Sequence, residues 1–262
     1  MLGKLLKHEM KALSRFLLPL HVIVLLMSVI GHFTVTARAD QYPRYFASFL
    51  ILTYIVLLIA VSTGTFILVA MRFYKHLFTD EGYLTLTLPA TAGEHLASKS
   101  IAAVIWFLID LIVVMAAILL LCSTPGFLNS LPKLQPEIYV QTGFTLKEFA
   151  SIFLFMYLVE LFSAPAYIYI CVTIGQLFSS HRVLGAVISY FLLCGMFQFV
   201  SLILLSTGGY LPYLFNMAEL KGPIYRSFME FTITGNLIVG TIVGVLSYIG
   251  TYYIMKRKIN LN

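Results

Sequence analysis

The sequence predicts an all-α integral membrane protein with six transmembrane helices and both termini in the cytoplasm. Three observations predict it. Of 262 residues, 60% are hydrophobic and 11% charged, with a mean hydropathy of +0.93. A water-soluble domain carries about 25% charged residues, so this chain lacks the polar groups to cover a surface in water. Six apolar stretches reach the roughly 20 residues that cross a hydrocarbon core: 16–35, 46–71, 100–122, 149–178, 183–206 and 231–255. They follow one another with no polar domain between them, which reads as one membrane domain over 1–262. Finally, eleven of the 17 Lys and Arg residues fall on the segments that an inside N-terminus makes cytoplasmic, and six on the outer ones, a positive-inside bias.

Residues 1–15 read as an amphipathic helix. Leu2, Leu6, Met10 and Leu13 recur on one face and Lys4, Lys7, Lys11 and Arg15 on another. Such a helix lies at the interface with its cations toward lipid phosphates; the plainer alternative is a basic flank that only sets orientation. A basic start, an apolar run and Ala37-Arg38-Ala39 imitate a secretory signal. The run is too long for one and five further spans follow, so the first helix is expected to stay.

The connection 72–99 is the longest one expected inside the cell. Thr79 to Leu84 reads as a short helix opened by Asp80 and Glu81, acids suited to the positive end of the helix dipole. Leu88-Pro89 ends it. Thr91 stands three residues before Glu94, a capping box that starts the third helix near Ala92. Charge mixed with the aromatics Phe73, Tyr74, Phe78 and Tyr83, taken as exposed, suits a docking surface.

Outside, 123–146 contains Pro125, Pro132 and Pro136 and reads as an irregular loop. In 208–230, Tyr210 to Phe215 is apolar but too short to span, and is expected to dip into the outer interface. Pro165 should kink the fourth span. Gly240 and Gly244 form a small-xxx-small pair, read as packing and not as a dimer site.

The sequence holds no phosphate-binding P-loop, no His-Glu-x-x-His zinc motif and no nucleophile in a recognisable setting. No catalytic residue, metal or cofactor is expected in this chain. The net charge of +6 lies on membrane flanks and forms no basic stripe for nucleic acid. Cys122, Cys171 and Cys194 lack disulfide or metal spacing, and the six histidines lack ligand spacing. They read as core cysteines and ordinary loop or interfacial histidines. Asp110 and Glu160 stand about 10 to 12 residues into their spans, near mid-membrane at about 1.5 Å per residue. Ionisable groups at that depth mark a transport path unless they are hydrogen-bonded, neutral and structural. Both alternatives stay open here.

The opening Met1-Leu2-Gly3-Lys4-Leu5-Leu6-Lys7-His8-Glu9-Met10-Lys11 through Pro19 resembles the start of permease subunits of Gram-positive bacterial type-2 ABC exporters. Arg72-Phe73-Tyr74-Lys75, Asp80-Glu81-Gly82-Tyr83-Leu84, Thr87-Leu88-Pro89 and Ser98-Lys99 resemble them more closely. The resemblance implies a multi-pass subunit of the bacterial plasma membrane. Two such subunits, identical or homologous, would pair with two separate ABC ATPase chains that bind the ATP and magnesium. Residues 1–15 would be the elbow helix, 72–99 the coupling region and 208–230 the re-entrant segment. Phe73, Tyr74, Phe78, Asp80, Glu81, Gly82 and Tyr83 would couple to the ATPase. Asp110 and Glu160 would be points on a path for an amphipathic substrate such as a peptide, toxin or lipid-like molecule. The alternatives are a proton-coupled secondary transporter using the same two acids, and a membrane sensor or scaffold that moves nothing.

Overall fold

The structure is a computed structural model that describes residues 1–38, 44–79, 81–82, 89–178, 180–216 and 219–257. It is helical, with no strand among the described residues. In chain order the helices are α1 (Leu2–Arg38), α2 (Arg44–Phe78), α3 (Ala92–Cys122), α4 (Pro125–Thr142), α5 (Leu146–Gly175), α6 (Arg182–Thr207) and α7 (Gly222–Arg257), with a 3-10 turn at Leu211–Leu214. All but α4 and the 3-10 turn are long and apolar enough to cross a membrane. Their outer surfaces match that solvent: Phe16, Phe155, Phe162, Phe191 and Leu192 are exposed, and α6 buries little beyond Gly185 and Leu205.

Two differences from expectation concern helix limits. Residues 1–15 continue without a break into the first span, giving one helix of 37 residues with Pro19 inside it. The apolar stripe of this segment also has a protein partner, because Leu6, Met10, Leu13 and Leu17 pack against Ala102 and Trp106 of α3. Burial against a side chain such as Trp106 satisfies that stripe as lipid would. The second difference is 123–146, where the expected loop is largely α4. Pro125 takes the first helical position, where no N–H is required. Pro132 and Pro136 each forgo one backbone bond, a cost this helix carries.

Packing divides the chain into two compact units, Met1–Leu131 and Pro132–Asn262. In the first, α1 and α3 run parallel and α2 antiparallel to both. Three contacts fix the parallel register: Lys99 Nζ on Glu9 Oε1 at 2.7 Å, His21 Nε2 on Asp110 Oδ1 at 3.0 Å and His32 Nδ1 on Leu120 O at 2.7 Å. Their sequence separations are 90, 89 and 88. Steps of about 11 residues are close to three whole helical turns, so all three fall on one side of each helix. Apolar layers separate them: Leu13, Leu17, Ala102 and Trp106 between the first and second, Val24, Val61 and Ala117 between the second and third.

In the second unit α5 packs on α6 and α7. Gly244 lies against Ser163, and a Cβ there would stand 3.0 Å from its Oγ. Tyr167 donates to Gly240 O at 2.6 Å. The glycine pair therefore serves helix packing within the unit, as the spacing had implied. Pro165 is buried inside an unbroken α5. On α7, Arg226 stacks 4.9 Å above the ring of buried Phe144, donates to Gly143 O and pairs with Glu148 and Glu230.

Candidate functional site

The capping box forms as the spacing requires. Thr91 accepts from the Glu94 backbone, Glu94 returns a bond to Thr91 N, and α3 begins at Ala92. The N-terminal amine lies 3.8 Å from Glu94, so the start of the chain and the end of the 72–99 connection sit together.

The start of that connection differs from expectation. With no Gly or Pro over 66–78, α2 runs on to Phe78 and carries Val69, Phe73 and Leu77 inward at i, i+4 and i+8. Phe73 is 1% exposed and Phe78 8%, and their rings meet edge-on at 5.8 Å. Neither is available as the exposed aromatic surface expected of them. Tyr74 is half-buried and Lys75 and Glu81 are exposed. Gly82 is buried, with its N–H on Thr79 O at 2.7 Å. A Cβ on Gly82 would stand 2.5 Å from Leu77 O, so only glycine lets the chain fold back so closely on the end of α2. Asp80 and Tyr83 lie outside the described residues, as does Leu84 of the expected short helix.

A charge cluster built partly from residues at the two ends of this connection joins α1, α2 and α3. Glu9 of α1 is 3% exposed and its carboxylate accepts from Lys99 of α3 at 2.7 Å and from Arg72 Nε of α2 at 3.1 Å. Lys99 Nζ also lies 3.1 Å from His76 Nδ1. An ammonium only donates, so Nδ1 of His76 accepts and its ring proton sits on Nε2. The 3.4 Å approach of His76 Nδ1 to Glu9 is then proximity without a shared proton. Glu81 lies within electrostatic reach of Lys99. Sequence reasoning missed Glu9, yet the signal was present: it occupies the apolar stripe of Leu6, Met10 and Leu13, where a carboxylate must find a partner.

Asp110 is buried and meets His21 of α1, Ser62 of α2 at 2.9 Å and Thr65 of α2 at 3.3 Å. His21 Nδ1 lies 2.7 Å from Leu17 O. A carbonyl only accepts, so Nδ1 carries a proton and the 3.0 Å contact to Asp110 holds a second one between Nε2 and Oδ1. The pair is thus neutral overall, whichever atom carries the shared proton. His21, placed among ordinary histidines by the sequence, is the partner that Asp110 had lacked. Glu160 differs: it is exposed in the middle of α5 and makes no hydrogen bond or ion pair with any described residue.

Fold and sites together define a helical chain with six candidate membrane spans, a buried charge cluster at one end of its first unit and one uncompensated mid-span acid. No protein-family model matches it, and no curated protein or solved structure is significantly similar.

Proposed function

We propose that the chain is the permease subunit of an ATP-driven exporter in a bacterial plasma membrane, with both termini inside. The observation that carries this reading is the cluster at the two ends of the 72–99 connection. Glu9, Arg72, His76 and Lys99 tie the ends of α1, α2 and α3 to the segment whose sequence resembles a coupling helix. A push on that segment by a separate ATPase would reach three helices at once, because a buried ion pair broken on one side leaves an uncompensated charge. Tyr74, Lys75 and Glu81 supply the accessible polar and aromatic contacts, while Phe73, Phe78 and Gly82 shape the fold beneath them. Exposed Lys4, Lys7, Lys11 and Arg15, on the first turns of α1, reach toward lipid phosphates at the inner surface. The 3-10 turn Leu211–Leu214 rests at the outer interface, beside Phe215, which is 88% exposed.

The test is copurification. ATPase encoded beside this chain should purify with the wild type, and Glu81→Lys or Tyr74→Ala should weaken that association. Unaltered association in both variants would remove the docking assignment.

A proton-coupled secondary transporter is the second reading. Each unit groups three long helices, and internal three-helix repeats are common among such transporters. Against it, apolar layers on both sides of Asp110 interrupt any proton wire through the first unit.

A further inference from the structure

Glu160 stands in the middle of a 30-residue apolar helix. A charged carboxylate at that depth costs several kcal/mol against lipid, so water, protein or a ligand covers it when it is ionised. None of the six apolar stretches 16–35, 46–71, 100–122, 149–178, 183–206 and 231–255 contains a Lys or Arg. The other mid-span acid, Asp110, already has His21. A second copy of this chain therefore brings no free cation to Glu160 at that depth. Along the same helix, Phe153, Tyr157, Ala164 and Tyr167 follow at helical spacing from Glu160. Phe153 is exposed and the two tyrosines are half-buried. An unneutralised acid bordered by aromatic rings is complementary to an organic cation: the carboxylate takes the charge, and the rings take the apolar body and add cation–π attraction.

We propose that the Glu160 face of α5 is a binding site for organic cations with an apolar body, and that it excludes anions of the same shape. This rests on reading α5 as part of a transport path and names the substrate class for it.

The experiment is equilibrium dialysis of the purified full-length chain in lipid nanodiscs, with binding to empty nanodiscs subtracted. The probes are tetraphenylphosphonium and tetraphenylborate, alike in shape and opposite in charge. The wild type should bind the cation saturably and the anion not at all, a comparison that needs no variant. Glu160→Asp should retain binding, and Glu160→Gln should weaken it by about tenfold or more. Absence of saturable cation binding, equal binding of both probes, or unchanged affinity in a folded Glu160→Gln chain would overturn the proposal. Because dialysis involves no ATPase, a failed copurification would defeat the exporter reading while leaving this result intact.

Discussion

Glu9 and Lys99 meet at 2.7 Å, each 3% exposed, although 90 positions separate them. Their contact sets the register of α1 on α3 at the end that carries the 72–99 connection. Removing the carboxylate takes the counter-charge from a buried ammonium and the acceptor from Arg72 Nε. Glu9→Ala should therefore destabilise the chain by about 3–5 kcal/mol, read as a lower midpoint in thermal unfolding in mild detergent. Glu9→Gln with Lys99→Met should lose less than the two single changes added together, since neither charge then remains.

Asp110 should behave as a structural group. Asp110→Ala leaves Ser62, Thr65 and His21 without their shared acceptor, a loss of about 1–3 kcal/mol for a buried polar partner left unsatisfied. A double-mutant cycle with His21→Ala should give a coupling energy of about 0.5–3 kcal/mol. Additive effects in that cycle would contradict the pairing.

At Gly82 the constraint is steric. Gly82→Ala puts a Cβ 2.5 Å from Leu77 O and 2.7 Å from Leu77 C, both backbone atoms that cannot swing aside. The turn onto α2 should open, and amide hydrogen exchange over 73–91 should rise while exchange in α5 to α7 stays as in the wild type.

Thr91→Ala removes the side-chain half of the capping box on α3. A lost N-cap costs about 1 kcal/mol, visible as a modest drop in thermal midpoint. Thr91→Ser should restore it.

Much of the fold was legible because one physical requirement dominates it: a helix crossing lipid needs a long apolar run, and composition shows such runs directly. The start of α3 was legible for a different reason, since Thr91 and Glu94 are local and satisfy each other within one turn. The candidate site was less so. Glu9 with Lys99 and His21 with Asp110 are partners 90 and 89 residues apart, and no local pattern reveals which distant helix a buried polar group will meet. Phe73 and Phe78 were misjudged because a charge count marked Arg72 as the start of a loop, whereas the apolar stripe Val69, Phe73 and Leu77 continues α2 inward. In α4 the prolines suggested a loop, and their placement at the first position and along an exposed helix let the helix persist.

Transport in reconstituted vesicles tests the central claim most directly. Vesicles holding this chain with the proposed ATPase partner should move tetraphenylphosphonium when ATP is supplied, and vesicles holding the chain alone should not, with or without a pH gradient. Transport by the chain alone, driven by a pH gradient, would contradict the account.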